Sequence, residues 1–178
     1  PTQLGHYWAG AMTMPREIVM QGETLLFKPI EETKAYRRNA YETWNMKLDG
    51  VKDMNVSGDC YELEVVFRAE QAEEFGLKLR VHGDEETVLS YHQAESQFRF
   101  NRDKSGIGLG GERRTRVELK EGLLALNVFV DKSSVEVFIQ GGEKVMTGRI
   151  YPGADSLGIQ VYAKGSCSVV SFKKWDMK

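Results

Sequence analysis

From Cys60 onward the apolar residues recur with a period of two. Tyr61, Leu63, Val65 and Phe67 alternate with Glu62, Glu64 and Arg68, and Phe75, Leu77, Leu79 and Val81 alternate with Lys78 and Arg80. Phe98 and Phe100 flank Arg99, while Leu124, Leu126, Val128 and Val130 share one face. Val135, Val137 and Ile139 follow, then Leu157, Ile159 and Val161, and finally Val169, Val170 and Phe172. Such alternation buries one side of a strand and wets the other. The runs are short and separated by turn signals at Gly83-Asp84, Gly141-Gly142, Pro152-Gly153 and Lys164-Gly165-Ser166. The pattern predicts an all-β domain of antiparallel sheets, closed as a sandwich or a barrel.

Helical periodicity is nearly missing. The best candidate, "EETKAYRRNAY" after Pro29, is highly charged with a thin apolar stripe. It predicts a linker helix over 31–42 between two unlike regions. Before it, "GHYWAGAMTMPREIVMQGETLLFKPI" contains two strand-like runs around Pro15 and Gly22. That piece is too short to bury its own face. Residues 1–30 therefore read as the remnant of another sheet, or as an extra edge on the domain formed by 43–178.

Lys and Arg (24) nearly balance Asp and Glu (26), for a formal net charge of −2, which leaves no electrostatic footprint for nucleic acid or an anionic membrane. Arg113-Arg114-Thr115-Arg116 is followed by Glu118 and Glu121 and reads as a solvated face. No apolar run approaches the ~20 residues that span a bilayer. The N-terminus shows no signal peptide, which carries little weight if the chain begins mid-protein. Cys60 and Cys167 sit in strand-like runs without metal-ligand spacing, and both a disulfide and two free thiols stay open. No metal or cofactor is expected.

Chemistry has few places to hide. Gly106, Gly108 and Gly111 match a dinucleotide-binding spacing, but the following Thr115, Val117 and Leu119 alternate as a strand, and without a helix N-terminus no phosphate cradle forms. His6, His82 and His92 lack spaced partners for zinc. No Gly-x-Ser-x-Gly elbow is present to display a nucleophile. Asp131 and Glu136, in "FVDKSSVEVFIQGGEKV", offer the two carboxylates a glycosidase needs. Alternating valines on both sides instead make "DKSS" a strand connection, with Glu136 on the face opposite Val135 and Val137.

The stretch "FVDKSSVEVFIQGGEKVMTGRIYP" resembles the signature of the C-terminal domain of glycoside hydrolase family 32, the family of invertases, levanases and sucrose-6-phosphate hydrolases. The matching positions are Phe129 through Phe138, then Gly141-Gly142, then Arg149-Ile150-Tyr151-Pro152. "YWAGAMTMPREI" resembles that family's last propeller segment, and "LLFKPIEETKAYR" the exit from the propeller. "YELEVVF" and "FGLKLR" resemble early strands of its sandwich. The resemblance covers almost the whole chain in the family's order. It implies a two-sheet, lectin-like (concanavalin-like) β-sandwich preceded by the last strands of a missing β-propeller, with 1–30 as the last-blade remnant and 31–42 as the linker.

The resemblance also implies hydrolysis of a terminal β-fructofuranosyl bond by the whole enzyme, with retention. The family's three catalytic acids lie in Asp-Pro-Asn-Gly, Arg-Asp-Pro and Glu-Cys-Pro motifs. Here Pro1, Pro15, Pro29 and Pro152 follow neither an acid nor a cysteine, and Arg102-Asp103 continues with Lys104. No catalytic residue carries over, so the chain is expected to be a non-catalytic C-terminal domain. Its expected partner is its own upstream propeller, with Trp8, Met12, Met14 and Tyr151 as interface candidates. A homo-oligomer through the same domain is weighed beside it. The other reading is a carbohydrate-binding module, with Trp44, Tyr91 and Trp175 as the stacking platform. A third is an unrelated all-β enzyme assembled from distant strands. The cysteines and the likeness to sucrose-6-phosphate hydrolases point to a cytoplasmic location.

Overall fold

The computed structural model describes residues 10–178. Two strands come first, β1 (Arg16–Gln21) and β2 (Thr24–Pro29). A 3-10 helix, Glu31–Tyr36, leads into β3 (Arg37–Ser57). There follow β4 (Tyr61–Ala69), β5 (Glu74–His82), β6 (Glu85–His92), β7 (Gln97–Lys104) and β8 (Glu112–Arg116). The chain ends with β9 (Leu123–Asp131), β10 (Ser134–Ile139), β11 (Lys144–Arg149) and β12 (Gly158–Met177). Pairing between these strands is antiparallel throughout.

The architecture is a β-sandwich organised around β12. Its second half, from Cys167, pairs with β4, and the layer continues through β9 and β10 to β11. Its first half, up to Lys164, pairs with β5, and the other layer continues through β6 and β7 to β8. β3 accompanies β12 along its whole length, so one long ribbon contributes to both layers. The ribbon turns the corner where Ala163 faces Gly50 and Cys167 faces Leu48, with residues 164–166 bulged between. Gly50 (φ +79°) and Gly165 (φ +91°) adopt backbone conformations that other residues rarely reach. The link 70–73 crosses between layers at the same corner, where Gln71 and Glu73 N–H donate to the Ser166 and Lys164 carbonyls.

The alternating apolar faces meet between the layers. Leu63, Val65 and Phe67 of β4, Leu77 and Leu79 of β5 and Val128 of β9 are all fully buried. Phe67, Phe75 and Tyr91 form a chain of rings with centroids 5.5 Å apart at each step. A Cβ on Gly148 of β11 would lie 2.9 Å from the Phe100 ring of β7, so the layers close without room for another carbon there.

Three expectations change. The linker helix over 31–42 is a single 3-10 segment, Glu31–Tyr36, and strand begins at Arg37. An isolated helix this short is marginal, whereas Arg37, Arg38, Tyr41 and Glu42 each gain a strand partner in 173–177 of β12. Lys164-Gly165-Ser166 is no chain reversal but the bulge inside β12. Arg80 is not wet: it sits in a bulge at φ +54° and is only 3% exposed. The cysteines are both free, and burial pushes the Cys167 thiol up to about 12.

Arg80 and Glu85 tether the loop that links β11 to β12. Arg80 donates to the Ser156 (2.6 Å), Lys132 (3.3 Å) and Gly153 (3.5 Å) carbonyls. Glu85 accepts from the Gly153 N–H at 2.8 Å and from the Ser156 hydroxyl. Replacing Arg80 by Met strips buried carbonyls of donors and should cost about 1–3 kcal/mol in urea unfolding. The Ser156 hydroxyl and Gly153 N–H hold the Glu85 carboxyl below its ordinary 4.5. As pH falls the unfolded chain takes up that proton first, so the contact's contribution is complete above about 4.5 and fades through the lower folded value. Glu85→Gln should therefore show a shallower loss of stability on acidification below pH 4.5 than the parent chain.

Candidate functional site

Residues that face one another across neighbouring strands share a side of the sheet. On the outer side of the β4 layer this register produces three rows. Trp175, Glu62, Phe129, Glu136 and Thr147 form the first. Glu42, Lys173, Glu64, Asn127, Phe138 and Val145 form the second. Trp44, Ser171, Val66 and Ala125 form the third. Nothing in binary patterning explains why a solvent-side row holds Glu62 at 1% and Glu136 at 5% exposure. What covers them is the N-terminal segment and the start of β3.

Glu136 is the anchor for the N-terminal segment. Its Oε1 accepts the Met14 N–H at 2.8 Å and its Oε2 accepts Arg16 Nη2 at 2.9 Å, with Thr147 Oγ1 also donating to Oε2 at 3.3 Å. The Arg16 guanidinium lies 5.5 Å from the centre of the Phe138 ring. A second anchor sits one hairpin away, where a Cβ on Gly142 (φ +99°) would come within 2.2 Å of the Phe27 carbonyl oxygen. Only glycine lets the β10–β11 turn approach the β2 backbone so closely. Among the described strands, β1 and β2 pair only with each other. They form a separate hairpin laid on the sandwich, not the extra edge that was the alternative reading.

Glu62 organises the other half of the row. It accepts Arg37 Nε and Nη2, and Asn127 Nδ2, each at 2.7 Å. Arg37 also reaches Glu64 at 2.5 Å, and its guanidinium stacks 3.9 Å from the centre of a Trp175 ring. The hydrogen bond that Arg37 donates to Glu62 leads the effects that hold the Arg37 pKa above its ordinary value. Both ends of the row thus hold a buried carboxylate neutralised by an arginine from an earlier element.

The residues singled out in the sequence fall in different places. Trp8 lies outside the described residues. Met12 is 97% exposed, and with Met14 it borders a cavity of about 270 Å³ closed by Cys60, Tyr61, Phe129 and Met177. Tyr151 is not in that groove; its backbone bridges to Gly106 and its ring packs over Gly108. Trp44 is 55% exposed. Trp175 is half-buried beneath Arg37. Tyr91 is a correction: it is 2% exposed, its hydroxyl donates to the Val117 carbonyl at 3.1 Å, and no ring face is left for a sugar. The inward face of β6 decides this, since Tyr91 follows Leu89 by two.

The suspected acids separate as well. Asp131 and Ser134 close a hairpin through Lys132 and Ser133, with Asp131 exposed. Glu136 has both oxygens engaged in holding the N-terminal segment, which suits fastening and not proton transfer. The glycine-rich run lies between two strands, β7 and β8. Among the described residues no cluster of His, Cys, Asp and Glu could hold a metal, and no helix is long and apolar enough to cross a membrane. Arg16 and Arg37 were missed in the sequence. Each stands in a quoted motif, but only the packing of distant segments reveals its partner.

Residues 32–176 match the family described as glycosyl hydrolases family 32 C terminal. The chain is 29% identical to the sucrose-6-phosphate hydrolase of Staphylococcus xylosus over 96% of its own length and 35% of the relative's. It is 31% identical to the raffinose invertase of Escherichia coli over 88% of its length and 32% of the relative's. Among solved structures, the exo-inulinase of Aspergillus awamori superposes with a TM-score of 0.81 at 22% identity, covering 97% of this chain and 37% of that one. The sucrose-6-phosphate hydrolase of Lactobacillus gasseri gives 0.76 at 22% identity, over 92% and 33%. These structural matches establish likeness of fold. The chain spans about a third of the length of these curated relatives.

Removing the Arg16 charge leaves Glu136 buried without its counter-ion, so Arg16→Met should free the hairpin before it affects the core. Hydrogen exchange at β1 and β2 amides should accelerate on the order of 10- to 100-fold, matching the ~1.5–3 kcal/mol of a charged hydrogen bond. Amides of β5 and β9 should keep their protection. Unchanged exchange in β1 would show that Glu136 does not fasten the segment.

Proposed function

The chain belongs to the glycosyl hydrolase family 32 C-terminal domains, and from that premise we propose that it is the non-catalytic partner of a fructoside-hydrolysing β-propeller. In the whole enzyme a propeller Asp attacks the anomeric carbon of a terminal fructosyl unit while a Glu protonates the leaving oxygen. Water then releases fructose from the covalent intermediate, with net retention. The sandwich takes no part in bond breaking. It fastens and covers the last segment of the propeller.

One observation carries this reading: the β1–β2 hairpin has two different faces. Leu26 turns inward at 4% exposure, facing half-buried Val19 across the hairpin. Ile18 (63% exposed), Met20 (66%) and Leu25 (43%) share the opposite face and point to solvent. An apolar hairpin face, held rigidly beside unpaired strand edges, suits burial beneath the neighbouring strands of a blade. The Glu136 lock then sets the angle at which blade and sandwich meet.

Probing the source cells with an antibody against residues 43–178 tests this. The expected band lies well above twice the 20.2 kDa of this chain. That species, once purified, should release fructose from sucrose, raffinose or levan, whereas the 178-residue chain alone should not. A single band near 20 kDa without such activity would overturn the proposal.

A further inference from the structure

We propose that the open end of the outer face of the β4 layer is a binding subsite for a neutral oligosaccharide. The three rows on this face are unequally covered. The first is closed by the N-terminal segment and Arg37. The third is not: Trp44 stands 55% exposed at its end, directly across from Ser171. Between Ser171 and Phe138 runs a groove of about 310 Å³, floored by Val66 and Ala125 and flanked by Glu64 and Lys173. That volume lies at the lower end of the ~300–1,000 Å³ common for small-ligand sites.

The side chains around the groove have unused bonding capacity. Among the described residues, Lys173 and Ser171 make no side-chain hydrogen bond or ion pair, and Glu64 spends one oxygen on Arg37. The Glu64 side chain is 40% exposed. The exposed Trp44 thus ends the row whose groove offers an ammonium from Lys173, a hydroxyl from Ser171 and a carboxylate oxygen from Glu64. A sugar ring presents the complement: a C–H face that stacks on an aromatic ring and neighbouring hydroxyls that both donate and accept. Lys173 faces Glu64 on one side and Glu42 on the other, so its positive charge is flanked by acids. This balance favours a neutral ligand, because a phosphate would be set against two carboxylates. The outer face of the β5 layer is the weaker candidate. Its groove is lined by Glu74, Glu86 and Arg99, which are already engaged by Lys164, Lys78 and Glu95.

The choice of fructan-type probes rests on the family reading above; the subsite itself does not. Levan- and inulin-type oligosaccharides titrated into the 178-residue chain by calorimetry should give saturable binding with a dissociation constant on the order of 1 mM, the affinity expected of a shallow single-ring platform. Trp44→Ala should weaken it at least about tenfold, the size of a lost stacking contact. Ser171→Ala with Lys173→Met should weaken it about threefold without shifting the thermal midpoint. Absence of saturable binding, or binding that survives Trp44→Ala, would overturn the proposal. Neither result depends on the size of the native protein, so the two readings fail separately.

Discussion

The rest of the molecule depends on one ribbon. β3 and β12 pair along some twenty residues, far longer than a strand can run within one layer of a small sandwich without twisting out of it. The twist is released at defined points. Asn39, Asn45, Gly50 and Asn55 of β3 adopt positive φ, and the β12 register slips near Ala163 and Lys174. Asparagine and glycine are the residues that reach this region of backbone space at least cost. Because the ribbon passes through both layers, it fixes their relative placement, and the 70–73 crossing follows its corner. Each layer is then a ladder grown outward from a shared spine.

That spine also sets what appears on the outer surface. Once Lys173 and Trp175 are committed by their β4 partners, Glu62 and Glu64 must face out beside them. Two carboxylates on a sheet exterior need no explanation while wet. Covered by the N-terminal segment and the start of β3, Glu136 and Glu62 demand counter-ions, because desolvating a lone carboxylate costs several kcal/mol. Arg16 and Arg37 supply them. Ion pairs of this sort add little net stability over apolar contacts, but their directional hydrogen bonds restrict docking geometry more than apolar contacts do. Such selectivity suits a junction between domains better than extra apolar burial, which would permit sliding.

On the readings proposed above, the outer face divides into two parts. Its hairpin end holds the segment that the propeller reading assigns to a blade, under a rigid lock. Its Trp44 end is left uncovered by the described residues, among which Ser171 and Lys173 have no side-chain partner. A sandwich arranged this way has room for both a structural role toward the catalytic domain and a weak hold on a sugar chain beside it. The two roles use different rows and meet at Glu64, Asn127, Phe138 and Gly141.

Much of this was legible in the residues themselves. Period-two alternation from Tyr61 to Phe172 identifies the strands and their inward faces, since burial on one side of a pleated strand leaves no other pattern. The motif 129–152 identifies the family, and the following strand disqualifies the glycine run as a nucleotide site. Three things stayed hidden. A bulge and a turn use the same residues, so Lys164-Gly165-Ser166 could not be told from a reversal. Weak helical propensity over 31–42 could not be weighed against a β12 partner more than a hundred residues away. Above all, Glu62 and Glu136 look like any solvent-side glutamates. Local spacing encodes which residues are strand, which face is apolar and which family they resemble. Which charges are buried is settled only in three dimensions, because a carboxylate's need for a partner arises from the water that a distant segment removes.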